Sequence, residues 1–255
     1  MIAFAAATLG AMGASAPHAD PAGAARIDHS AFDTLLARYV DDDGGVRYAA
    51  WKRDDDDALD VYLDAMSAVD PAALADTTEL LAYWINVYNA LTIDAILHFY
   101  PVASIKDKVA MFGYNVWDDY TITIAGQERS LNDIEHKILR KLDEPRIHFA
   151  IVCASLGCPH LRNDAYTGPS LGEQLDAATR EFFANPQHIQ FDTVANTVRL
   201  SRIFDWFGDD FGGSDAAKRA FISRFVASDA ERQFLHSKAA RIEYLDYDWR
   251  LNEAK

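Results

Sequence analysis

The chain has 255 residues, half of them hydrophobic and a quarter charged, with 39 acidic against 24 basic side chains and a formal net charge of −15. The apolar share excludes whole-chain disorder, and the length fits one large or two small domains. The acidic balance, with no basic patch opposing it, argues against nucleic acid and anionic lipid surfaces as partners.

Met1 to Pro17 is apolar and rich in small residues, shorter than the about 20 residues that span a bilayer. It reads as the hydrophobic region of a secretory signal, with Ala14-Ser15-Ala16 as a cleavage pattern and a second one ending at Ala19. A signal over residues 1–19 and a periplasmic or secreted location are expected; since no basic leader precedes the stretch, a non-cleaved apolar arm is the other reading. Phe32, Leu35, Leu36 and Tyr39 predict a helix over His29–Val40. Asp41-Asp42-Asp43-Gly44-Gly45 ends it, and because Lys52 stands where a calcium loop needs its distal glutamate, the run reads as a solvated turn. A second acidic run, Asp54–Asp57, opens a helix carrying Leu59, Tyr62, Leu63 and Met66, its negative first turn matched to the helix dipole.

Glu79 to Tyr100, closed by Pro101, predicts a long helix. Asn86, Asn89 and Asp94 interrupt its apolar run, so it reads as a buried core helix and no integral membrane segment is expected in the mature chain. Asn86 and Asn89 share a face and need hydrogen-bond partners there: loop backbone, or a site to which one of them contributes. Tyr120–Ile124 and Gln127–Arg129 predict a hairpin about Ala125-Gly126. Ser130 caps a helix over Leu131–Lys141. Ile147–Val152, apolar on both faces, reads as a buried central strand. A helix over Ser170–Ala184, strands at Ile189–Phe191 and Val198–Ser201, a helix over Asp215–Val226 and a last strand at Ile242–Leu245 follow. Helices early and strands late, without βαβ alternation, predict an α+β fold in which helices pack around a small antiparallel or mixed sheet, as one domain over residues 28–253.

The two cysteines, Cys153 and Cys158, lie in Ile147–Leu161 at a strand-to-loop junction, where reactive groups are often mounted. Three chemistries compete there. Zinc could draw on Cys153, Cys158, His160 and His148, but the spacing is compressed and no second ligand pair follows, so no metal or other cofactor is expected. A thiol nucleophile needs a base and a group that orients it. Strand parity turns His148 away from Cys153 and leaves His136 as the base, with Glu135, Asp133 or Asp248 as its carboxylate; adjacent helix positions diverge by about 100°, which counts against Glu135. A short disulfide needs nothing else.

Tyr83–Leu91, Ser130–His136 with Ile138-Leu139-Arg140, His148-Phe149-Ala150 to Cys153, Cys158-Pro159, Ala165-Tyr166-Thr167 and Tyr247-Asp248-Trp249 with Asn252 make the chain resemble the domain-of-unknown-function 547 family over roughly residues 30–253. The resemblance implies a papain-like core and a Glu–His–Cys order, which falls on Glu135, His136 and one cysteine. Plant relatives frequently lack the second cysteine, which implies Cys153 as nucleophile and Cys158 as redox partner or alternative. Pro159-His160 departs from a pattern of two prolines. The expected activity is thiol-dependent hydrolysis or acyl transfer at an amide or thioester bond of a small molecule or peptide, with Asn86 or Asn89 stabilising the oxyanion. The other reading is a non-catalytic binding or structural module with a Cys153–Cys158 disulfide.

Overall fold

The computed structural model describes residues 18–19, 25–108, 114–237 and 240–254. The expected signal over residues 1–19 lies outside them, apart from a two-residue backbone pairing of His18–Ala19 with Ala25–Arg26.

Amphipathic spacing builds the first layer. Helix α1 (Ser30–Tyr39) buries Phe32, Leu35, Leu36 and Tyr39, and α3 (Asp56–Ser67) buries Leu59, Tyr62, Leu63 and Met66. Between them lies α2 (Tyr48–Asp54), which the sequence pattern did not announce; it buries Tyr48 and Trp51. The acidic turn before it closes on itself, Asp41 Oδ1 accepting from the Asp43 and Gly45 amides. Helix α4 (Thr77–Phe99) starts at the Asp76 cap and is buried along most of its circumference. It is long and apolar enough to cross a bilayer, yet 89% of its most apolar window is covered by protein. It is the axis of the larger core, against which α1 to α3 and the site-bearing loops pack.

The expected hairpin is present: β1 (Thr121–Ile124) pairs antiparallel with β2 (Gln127–Ser130), and Ala125 and Gly126 both take positive φ, 48° and 73°. That is the turn geometry whose twist suits a two-residue hairpin loop. Farther on, α5 (Leu171–Ala184) leads into a three-stranded sheet of β3 (Ile189–Asp192), β4 (Thr197–Leu200) and β5 (Arg241–Tyr244). β3 and β4 pair antiparallel and β5 joins β4 in parallel, so the sheet is mixed. A second core, centred on Phe149, Phe182, Phe183, Phe204, Phe211 and Phe221, lies beneath it. Helix α6 (Asp215–Ile222) is shorter than expected, and α7 (Asp229–His236) is an addition. The fold is α+β.

Two expectations next to the cysteines need correction. Residues 131–142 are not a regular helix: after one turn the chain widens into a π-helix, Asp133–Ile138, and then tightens into a 3₁₀ turn, Leu139–Leu142. The segment read as a central strand begins as a 3₁₀ helix, Pro145–Phe149, and runs on through residues 150–153 without joining a sheet. Its continuous apolarity reflects burial between two cores; periodicity cannot separate such a segment from a strand.

Candidate active site

Four pieces of chain converge on one cavity of about 240 Å³. The π-helix contributes Asn132, Glu135 and His136; the segment after the 3₁₀ turn contributes His148, Ile151, Cys153 and Cys158; residues 203–207 and 247–249 add Trp206, Phe207, Tyr247 and Trp249. A π-turn needs more residues per revolution than an α-turn, which narrows the angle between neighbours to roughly 80° and lets Glu135 and His136 line the same cavity.

The cysteine loop is held rigidly. Ala154 takes a left-handed φ of 56°, and the loop is fastened to the C-terminal segment by Leu156 N donating to Arg250 O at 2.9 Å and Gly157 N donating to Asp248 O at 2.8 Å. A side chain at Gly157 would meet the Asp248 amide at 2.9 Å and the Tyr247 ring at 3.0 Å, so glycine is required by close approach. This approach puts the Tyr247 hydroxyl among the sulfurs. It donates to Cys158 Sγ at 3.1 Å and lies 3.3 Å from Cys153 Sγ. Ser155 Oγ is 3.2 Å from Cys153 Sγ and donates to Cys158 Sγ at 3.6 Å; the Cys153 backbone N–H donates to Cys158 Sγ at 3.0 Å. Both cysteines are free thiols.

These contacts are unequal. Burial alone would push the Cys158 thiol up, but hydrogen bonds from Cys153, Tyr247, Ser155 and the backbone outweigh it and bring Cys158 down to about 6. Its hydrogen bond to Cys158, together with burial, pushes Cys153 well above the ordinary range. The sulfur that carries the charge is therefore Cys158.

Glu135 is buried beneath them. Burial raises its carboxyl to about 7 against the pull of Arg140, and the nearby Cys158 adds to the rise. Its polar neighbours are the Tyr88 hydroxyl, donating at 3.4 Å, and His148 Nδ1 at 4.0 Å. His148 Nε2 faces Asp210 Oδ2 at 2.7 Å, and Phe207 stacks on its ring at 4.3 Å. Asp210 also receives the Arg140 guanidinium through two bonds, 2.6 and 2.8 Å; hydrogen bonds from Arg140 and His148 hold it well below the usual carboxylate range despite its partial burial. Burial lowers the pKa of His148, and burial together with Arg140 lowers that of His136. Neutral at neutral pH, His148 donates Nε2–H to Asp210 and turns the Nδ1 lone pair toward Glu135. His136 Nδ1 accepts from Arg140 Nη1 at 2.9 Å, which leaves its proton on Nε2.

The expected residues are thus gathered at one place but in different pairings. Glu135 meets His148 rather than His136, and among the described residues neither sulfur hydrogen-bonds an imidazole. The carboxylates weighed as orienting groups are engaged elsewhere: Asp133 with Lys137 and Asp248 with Arg250. Asn86 and Asn89 do not line the cavity. Asn86 donates to Tyr166 O at 2.7 Å and accepts from Tyr166 N at 3.0 Å; Asn89 donates to Ala150 O at 2.9 Å and accepts from Val152 N at 3.0 Å. They pin the loops that carry the site. His160 faces away to Glu181 at 2.8 Å, and among the described residues no three His, Cys, Asp or Glu side chains converge to hold a metal.

Sequence reasoning missed Asp210, Tyr88 and Ser155, and set His148 aside on the parity of a strand that does not form. Tyr247 stood in one of the recognised blocks without a role. The aromatic wall was not anticipated: Tyr247 lies 4.6 Å from Trp249 and 4.8 Å from Trp206, and Trp117 meets Trp249 edge-on at 6.1 Å.

A family described as "Protein of unknown function, DUF547" matches residues 72–183. The match takes in α4, the π-helix and the cysteine loop; Asp210 and the Tyr247 block lie beyond it. No curated protein and no solved structure matches the chain.

Proposed function

From the match of residues 72–183 to the DUF547 family and the cavity's geometry, we propose a thiol-dependent enzyme of acyl transfer, hydrolysing or transferring amide or thioester bonds. The observation that carries this reading is the convergence on one cavity of Cys158, whose sulfur accepts from Tyr247, Ser155 and the Cys153 amide, and of the buried Glu135; those hydrogen bonds draw the Cys158 thiol down to about 6 and burial pushes the Glu135 carboxyl up to about 7. One supplies a thiolate at neutral pH, the other a carboxylic acid able to give and take a proton there.

In this mechanism Cys158 Sγ attacks the carbonyl carbon of a small molecule or peptide. As charge moves from sulfur to oxygen, the Tyr247 hydroxyl, 3.1 Å from that sulfur, and the Nε2–H of His136 are the donors placed to meet the oxyanion. Glu135 protonates the leaving nitrogen or sulfur and then takes a proton from the water or acceptor that releases the acyl group. His148, fixed by Asp210, shares the Glu135 proton. The nucleophile is Cys158, in place of the Cys153 expected from the resemblance. The standing-disulfide alternative has against it two free thiols. Export belongs to the same proposal, on the apolar Met1–Pro17 stretch alone.

Incubation with a phenylacetyl thioester followed by peptide mass analysis tests the reading. An acyl adduct on Cys158 that accumulates in Glu135→Gln is expected; an adduct equally abundant in Cys158→Ala, or none at Cys158, overturns it.

A further inference from the structure

Acyl transfer uses one sulfur and leaves the second without a task. Cys153 is nonetheless built into the site: its backbone amide donates to Cys158 Sγ, its thiol shares the Ser155 and Tyr247 hydroxyls with that sulfur, and the loop that holds the two together is fastened to residues 248–250. Both sulfurs line the cavity, Cys158 5% exposed and Cys153 more open. The contacts also divide the labour, since two hydroxyls and an amide donate to Cys158 while Cys153 keeps its proton beside the same Ser155 and Tyr247 hydroxyls. A charged attacking thiol with a protonated neighbour within reach is what thiol–disulfide exchange requires. The lining adds a chemical class: Trp117, Trp206, Tyr247 and Trp249 on one side, with no lysine or arginine among the lining residues to receive an anion.

We propose that Cys153 and Cys158 form a dithiol–disulfide couple that reduces a small, neutral organic disulfide held against the aromatic wall, Cys158 attacking and Cys153 resolving. Cys158 thiolate attacks one substrate sulfur, the substrate S–S bond breaks, and the first thiolate leaves and takes a proton from solvent. A mixed disulfide remains on Cys158. Cys153 then attacks Cys158 Sγ, and its proton passes by way of the Tyr247 or Ser155 hydroxyl to the second departing thiolate. The protein, starting as thiolate plus thiol, loses two electrons and one proton, solvent supplies the second proton, and the substrate disulfide becomes two thiols. With acyl transfer this couple shares the activated Cys158 and the Tyr247 hydroxyl beside it.

The fully reduced protein mixed with 2,2′-dithiodipyridine supplies the test. Wild type is expected to release two thiopyridones per chain, retain no adduct, and yield the tryptic peptide 147–162, which contains both cysteines, lighter by two hydrogens. Its first release should follow a pH midpoint near 6. Cys153→Ser should release one thiopyridone and keep the other on Cys158; Cys158→Ser should slow the first release at pH 6 by at least about tenfold. A wild-type product that keeps a pyridyl adduct on either cysteine overturns the couple, a result read without any variant. Wild type that releases two thiopyridones as expected but forms no acyl adduct on Cys158 with the thioester would count against acyl transfer instead and leave the couple standing.

Discussion

Two groups of buried polar side chains lie within a few turns of each other and do opposite things. Asn86 and Asn89 on α4 each close two hydrogen bonds with loop backbone and face no cavity. Cys158, Glu135 and His148 are also buried, but their partners are other ionisable side chains and they open onto a cavity. The first group is neutral and saturated, so its burial converts into rigidity. In the second, burial and hydrogen bonding do not cancel: burial wins at Glu135 and His148 and hydrogen bonding wins at Cys158, so the imbalance appears as shifted proton affinities.

Removing the nucleophile should separate the two most sharply. Cys158→Ala is expected to lower acyl-adduct turnover by about 1,000-fold or more with little change in the urea midpoint. Asn89→Ala should do the reverse, leaving Ala150 O and Val152 N buried without partners and costing about 4 kcal/mol in urea unfolding. Alkylation of Cys158 in the folded protein should survive that change.

Acid sharpens the contrast from the stability side. His29 and His188 are buried away from the cavity and have pKa values lowered to about 4, His29 against a small opposing effect of Asp28. Both are neutral when folded, while the unfolded chain binds protons below about 6.5. Their contribution is complete above that pH and is lost as pH falls to about 4, by about 3 kcal/mol each. Urea midpoints should therefore drop between pH 6.5 and 4, partly offset by Glu135, whose raised carboxyl binds a proton in the folded protein first, and should rise from pH 7 to 8, where Cys158 is charged when folded and neutral when unfolded. Smallest is the effect of Tyr247→Phe. Loss of one hydrogen bond to a thiolate should raise the Cys158 midpoint by about one pH unit, measured by alkylation, with stability nearly unchanged.

Helix α4, the hairpin and α5 were legible because their signals are local: a dense apolar run with a proline stop for α4, alternation around Ala125-Gly126, and a clear apolar stripe on Leu171, Leu175, Ala178 and Phe182. The two asparagines were legible as buried amides needing partners. What escaped was geometry set by tertiary packing. Residues 133–138 have good helix composition, and nothing in it marks a π-turn. Ile147–Val152 is apolar because two cores meet on it, and reading it as a strand turned His148 to the wrong side. Asp210 reaches His148 across 62 positions of sequence, with no spacing to give it away. The choice between two cysteines depends on which sulfur collects the hydrogen bonds, and Tyr247, 89 residues beyond Cys158, decides much of it.

The account turns on the identity of the activated sulfur. Iodoacetamide labelling of the folded, reduced protein between pH 4.5 and 10, resolved by fragmentation of the peptide 147–162, measures both thiols at once. Cys158 should label with a midpoint near 6 while Cys153 stays unlabelled until well above 9. Labelling of Cys153 first, or of both with a midpoint near the ordinary thiol value of about 8.5, would contradict it.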